Sequence, residues 1–133
     1  MSHSIQAKHG RRIFLITISD PFDFRAEMGQ LTEEMQSTIG EITSIIYLIY
    51  DIRHLSINFS DIINGVTGLA RPQTEFDKQL MEYARMIMVG SGPLISIAAK
   101  AAARLTPDKP TLLFATPEEA LKHAEAELVS QTG

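Results

Sequence analysis

The feature that most constrains the fold is an unbroken apolar run at residues 45–50, which reads IIYLIY. A strand with one buried face alternates apolar and polar side chains, because its successive side chains point to opposite faces of the sheet. A strand with no polar position must therefore be covered on both faces. The run predicts a central strand in a sheet that is packed between helices.

The rest of the chain alternates between strand-like and helix-like segments. Residues 13–18 are apolar and β-branched, whereas residues 24–42 carry apolar side chains three or four positions apart, as in an amphipathic helix. The other predicted segments are a strand at 5–7, a short helix from about 60, a helix at 74–83, a strand at 86–89, a helix at 94–105, a strand at 111–114 and a helix ending near 128. This order predicts an α/β fold with a mostly parallel sheet of four to five strands and right-handed crossovers.

Composition narrows the class of protein. A chain of 133 residues is the length of one domain, so we expect a single domain over residues 1–133. The absence of cysteine excludes disulfides, thiolate zinc sites and cysteine nucleophiles, and the net charge of -4 argues against a dedicated nucleic-acid binder. The sequence shows neither the apolar segment of about 20 residues that a membrane helix needs nor the core of a signal peptide. We therefore expect a cytoplasmic protein without a transmembrane segment.

The segment after the central run contains residue types that suit a hydrolase. Ser60 would be the nucleophile, His54 the general base and an aspartate, Asp51 or Asp61, would orient the base. However, Ser60 lacks the Gly-x-Ser-x-Gly surroundings of a nucleophile elbow. Ser60 as a helix cap with Asp61 in the first helical turn explains the same residues, so we predict no catalytic residue.

Gly90, Ser91 and Gly92 form a second candidate site, because backbone amides between a strand and a helix can hold an anion. A dinucleotide fingerprint would need a third glycine where Ile95 stands, and the lysine of a P-loop is missing. We therefore favour a tight turn over an anion or ligand site.

The four histidines do not have the spacing of metal ligands. They stand at positions His3, His9, His54 and His123. We expect neither a metal nor another cofactor.

The central strand and the segment after it resemble the STAS domain of the anti-sigma-factor antagonist (SpoIIAA-like) family. Residues 46–53 match the hydrophobic strand and its terminal aspartate, and residues 57–65 stand where the family carries Asp-Ser-Ser-Gly. Ser60 falls at the spacing of the phosphorylatable serine of that motif. Phe59, Asp61 and Ile62 replace its aspartate, second serine and glycine. The resemblance covers about residues 12–128.

This resemblance implies a non-catalytic regulatory or protein-interaction module. The expected partner is a kinase or a sensor-type regulator, and it would dock around four residues. These are Asp51, Ser60, Asp61 and Asn64. A phosphate on Ser60 would change the local charge by about -2 and so switch docking. Homodimerisation would cover exposed sheet edges and apolar helix faces.

The chain is also similar to the SEC-fourteen-like branch, which implies an alternative function as a binder of a lipid or another small apolar molecule. One wall of the required cleft would come from the alanine-rich helix, through Ile95, Ile97, Ala98 and Ala102. An apolar helix face of this kind is more often part of the core. A small hydrolase is the third interpretation.

Overall fold

The computed structural model describes residues 3–8, 12–22, 24–56, 58, 60, 74–105 and 111–132. Its strands are β1 (His3–Lys8), β2 (Ile13–Ile18), β3 (Ile46–Asp51), β4 (Ala84–Val89) and β5 (Leu112–Phe114). They form one sheet in the order of the sequence, with β1 antiparallel to β2 and the other neighbours parallel. The predicted α/β fold with a mostly parallel sheet is confirmed.

The helices of the described residues are α1 (Phe24–Ile39), α2 (Glu75–Tyr83), α3 (Pro93–Leu105) and α4 (Pro117–Thr132). The connections β2–α1–β3, β3–α2–β4 and β4–α3–β5 all step the same way across the sheet. Right-handed crossovers that step in one direction place their helices on the same face. Helix α4 follows the last strand and covers the opposite face.

Two hydrophobic clusters, one on each face, follow from this layout. The first joins the sheet to α1, α2 and α3, through residues that include Phe14, Ile16, Leu48, Leu31, Met35, Phe76 and Ile95. The second joins the sheet to α4, through Ile13, Tyr47, Ile49, Ile87, Val89, Ala120, Ala124 and Leu128. Strand β3 contributes to both clusters, since Leu48 is 1% exposed and Ile49 is 0% exposed. The prediction that residues 45–50 contain a strand covered on both faces is confirmed.

Two predicted helix ends are wrong. Helix α1 ends at Ile39 and not at Ile42, because Gly40 adopts a left-handed φ of 72° and its N–H donates to the carbonyl of Gln36. Ile42 is nevertheless buried in the core, so its apolar character extended the helical pattern beyond the helix. Helix α4 continues to Thr132, where no glycine or proline stops it after Leu128.

The helix predicted from about residue 60 lies outside the described residues, except for Ser60, whose backbone is helical. None of the described helices is long and apolar enough to cross a membrane.

The double-sided burial of β3 predicts a large loss of stability for Leu48→Ala. The substitution leaves a cavity in the core and should lower the free energy of unfolding by about 2–5 kcal/mol, measured by urea denaturation. Ile97→Ala is the matched control, because Ile97 is 44% exposed and its truncation should change stability by no more than about 0.5 kcal/mol. Equal losses for the two variants would contradict the assignment of the core.

Candidate functional site

The register of the parallel strands brings their carboxyl ends together. Asp51 pairs with Thr17 on one side and with Val89 on the other, and Val89 pairs with Phe114. The residues that follow these strands therefore lie along one edge of the sheet, which we call the carboxyl edge. Binding residues are often carried on loops of this kind, which a rigid sheet holds in place.

A buried carboxylate stands at the end of the central strand. Asp51 is 4% exposed and accepts hydrogen bonds from Arg53, at 2.9 Å from Nε to Oδ1 and 3.0 Å from Nη2 to Oδ2. The backbone N–H of Arg53 also donates to Oδ1, at 3.2 Å. This bidentate pair holds the guanidinium beside the strand end while 37% of the Arg53 side chain stays exposed.

The groups around Arg53 stabilise its positive charge. The hydrogen bonds to Asp51 raise the pKa of Arg53, and the negative charges of Asp51 and Glu118 raise it further. Glu118 lies in the first turn of α4, which Thr116 caps by accepting a hydrogen bond from the N–H of Glu119 at 3.3 Å. The carboxyl edge therefore presents a cation that is paired with Asp51 and lies within the electrostatic influence of Glu118.

A second carboxylate links the connection after β2 to the connection after β3. Asp20, which follows β2, accepts hydrogen bonds from the hydroxyl of Ser56 at 2.6 Å and from its N–H at 3.0 Å. The N–H of Asp20 donates in turn to the carbonyl of His54 at 3.2 Å. The segment 52–56 is thus attached to the end of β2 by main-chain and side-chain hydrogen bonds.

The Ser56 hydroxyl and N–H hydrogen bonds lower the pKa of Asp20. The sequence pattern predicts the strand that Asp20 follows, but it does not predict the contact with Ser56. The two residues lie 36 positions apart, and no local pattern joins them. The placement of Asp20 after a strand next to β3 was the available signal.

The Gly90 turn has the geometry of a structural turn. The N–H of Gly90 donates to the carbonyl of Phe114 at 3.0 Å, so it is not available to an anion. Gly92 adopts a φ of 108°, which favours glycine, and Pro93 begins α3 without an N–H. Ser91 is exposed at the tip. Few backbone donors therefore remain for a phosphate at this position.

The structure places the predicted docking residues in different environments. Ser60 is exposed, and so is His54, whereas Asp51 is buried and reaches the surface only through Arg53. Asp61 and Asn64 lie outside the described residues.

The hydrolase interpretation gains no support from the described residues. In this part of the chain no hydrogen bond joins the side chains of Asp51, His54 and Ser60, and the Asp51 carboxylate is occupied by Arg53. Likewise, the described part contains no group of three or more His, Cys, Asp or Glu side chains placed to hold a metal ion.

The wall predicted for an apolar ligand is divided between two sides of α3. Ile95 is 8% exposed and packs in the first core cluster, and Ala102 is 7% exposed. Ile97 is 44% exposed and faces away from that core. Helix α3 therefore does not present the predicted residues to one shared space.

The lowered pKa of Asp20 predicts an acid-sensitive contribution to stability. The folded-state pKa of Asp20 lies below the ordinary value of 3.8. The ionised Asp20 carboxylate therefore stabilises the fold above pH 3.8, and this stabilisation is lost as the pH falls through the folded-state pKa. Asp20→Asn should therefore lower the Tm at neutral pH, and its difference from the native protein should shrink on acidification below about pH 4. Glu33→Gln, an exposed carboxylate on α1, should leave the Tm unchanged. A Tm difference for Asp20→Asn that persists undiminished in acid would contradict this account.

No protein-family model matches the sequence, and no curated protein matches it. Among solved structures, the chain is similar to an uncharacterised protein of the DUF3478 family from Shewanella loihica PV-4, which is described as having a SpoIIAA-like fold. The two chains are 18% identical, the match covers 92% of this chain and 91% of that chain, and the TM-score is 0.60. A likeness at this level of identity concerns the fold and not the activity. The chain has a SpoIIAA-like fold, as the resemblance of its central segment predicts.

Proposed function

We propose that the chain is a non-catalytic protein-interaction module of the cytoplasm, whose partner docks on the carboxyl edge. One observation carries the proposal: the segment 52–56 is fixed by hydrogen bonds and still leaves polar side chains exposed. Asp20 holds its far end through Ser56, and Asp51 holds Arg53. Because the segment is ordered before binding, a partner would not have to bear the entropy of ordering it.

The side chains exposed at this edge are better suited to binding a protein than to catalysing a reaction. Arg53, His54 and Ser60 offer a cation, an imidazole and a hydroxyl to solvent. Exposed arginine is among the residues that contribute most to binding at protein interfaces. In this proposal Asp61 and Asn64 extend the docking surface, residues 1–133 act as one domain with a core over about 12–128, and Asp51 acts by positioning Arg53.

We further propose that phosphorylation of Ser60 switches docking. A serine kinase would transfer the γ-phosphoryl group of ATP to the Ser60 oxygen and release ADP and a proton. The added charge of about -2 would alter an edge whose described charges are Asp20, Asp51, Arg53 and Glu118. The exposure of Ser60 supports this assignment. The sequence also predicts that a helix begins at about this residue, where an added charge would affect the stability and the contacts of the helix.

Ser60→Asp should change what the protein binds. Tagged native protein and the variant are used to capture partners from an extract of the source organism, and the captured proteins are quantified by mass spectrometry. We expect a specific partner whose recovery changes at least about tenfold in Ser60→Asp, the factor that corresponds to one strong charged contact. The matched control is Ser130→Asp, an exposed serine on α4, which should leave the recovery unchanged.

The same samples test the modification, since mass spectrometry of the native protein after incubation with extract and ATP should find one phosphoryl group on Ser60. Identical partners for the native protein and Ser60→Asp would contradict a switch at this site. An empty capture with both proteins would contradict the docking proposal and favour a small apolar ligand instead.

A further inference from the structure

A groove lies at the antiparallel edge of the sheet, between β1 and α1. It has a volume of about 310 Å³, and its walls are formed by His3, Ser4, Ile5, Glu34, Ser37 and Thr38. The volume is at the low end of the range of ligand pockets, and five of the six lining residues have polar side chains. A groove of this size can hold one side chain together with a stretch of main chain.

Strand β1 forms one side of the groove and is an edge strand. It pairs with β2 along all six of its residues, and no strand of the described part lies on its other side. Ser4, Gln6, Ala7 and Lys8 are exposed. The outer edge of such a strand carries backbone N–H and C=O groups that can pair with an extended chain.

The groove is already formed in the free protein, because a partly buried contact joins its two walls. The imidazole of His3, at the start of β1, pairs through Nε2 with Oε2 of Glu34 on α1. The His3 ring packs edge-on against Phe22 at a centroid distance of 6.1 Å, and only 3% of the His3 side chain is exposed. A preformed groove lowers the entropic cost of binding.

The charge of the α1 wall selects the kind of side chain that would enter. Of the six residues that line the groove, Glu34 is the acidic one. The Glu34 contact with His3 uses Oε2, and 41% of the Glu34 side chain remains exposed. A carboxylate at the wall of a partly enclosed groove favours a cationic group, with which it forms a charge-assisted hydrogen bond.

We propose that this groove binds an extended segment of another protein by strand addition to β1, with a lysine or arginine side chain placed against Glu34. The backbone of the segment would pair with the outer edge of β1 and supply affinity, while the basic side chain would supply specificity. The proposal concerns a surface separate from Ser60 and does not depend on the function proposed for the carboxyl edge.

Two synthetic peptides test the proposal, acetyl-Thr-Val-Lys-Val-Thr-amide and the same sequence with glutamate in place of lysine. Each is titrated into uniformly ¹⁵N-labelled protein, and the backbone amide shifts are followed by NMR. We expect the lysine peptide to shift amides of β1 and α1 and to bind at least about tenfold more tightly than the glutamate peptide. Ser60→Asp should bind the lysine peptide as the native protein does, which separates this surface from the carboxyl edge.

Glu34→Gln should weaken the lysine peptide about tenfold, whereas Glu33→Gln on the same helix should leave its affinity unchanged. Ser37→Trp fills the groove without altering the His3–Glu34 pair and should abolish binding of the lysine peptide. This variant tests the proposal even if Glu34→Gln is too unstable to measure. Three results would each overturn the proposal: no binding of the lysine peptide at millimolar concentration, equal affinity for the two peptides, or amide shifts that lie outside β1 and α1.

Discussion

The burial of β3 on both faces is the constraint on which the rest of the structure depends. Strand β3 pairs with β2 and β4, and its side chains from Ile46 to Ile49 are at most 5% exposed, which requires helices on both faces of the sheet. In the described part of the chain, the crossover helices α1, α2 and α3 cover one face because the strands follow each other in order, and α4 covers the other. The same parallel register aligns the strand ends, so the chemistry of the carboxyl edge is a consequence of how the core is built.

Where β3 leaves the core, its polar groups need partners, and the carboxyl edge is organised around them. A buried carboxylate without a partner costs several kcal/mol, and Arg53 supplies the compensating charge and hydrogen bonds to Asp51. At the end of the neighbouring strand β2, Asp20 holds the segment 52–56 in place through its hydrogen bonds to Ser56. These contacts stabilise a surface segment without using the side chains of His54 or Ser60, both of which are exposed.

Much of the fold could be predicted from the sequence, because periodicity reports burial. Strand β2 has the predicted bounds 13–18, and the apolar run gives β3 to within one residue. The end of α1 could not be predicted from apolar spacing, since Ile42 is buried from a position outside the helix and the stop at Gly40 depends on its left-handed backbone. Periodicity alone does not separate a buried helical residue from a buried residue after the helix.

The site was less predictable, because its contacts join distant positions. Asp51 stands at the end of a predicted strand, yet it is buried, and its contact with Arg53 two residues later was not predicted. The pairs Asp20–Ser56 and His3–Glu34 are separated by 36 and 31 positions and leave no local signature. Residue types and strand ends indicate where a site lies, whereas its internal partners follow only from tertiary packing.

The central claim is that another protein docks on the ordered carboxyl edge. Site-specific photo-crosslinking tests it most directly, with a benzophenone amino acid placed at His54 and, in a control protein, at Arg104, which is exposed at the far end of α3. Irradiation in extract of the source organism should give a discrete crosslinked product at His54 and none at Arg104. Crosslinks of equal yield at both positions, or none at His54, would contradict docking at this edge.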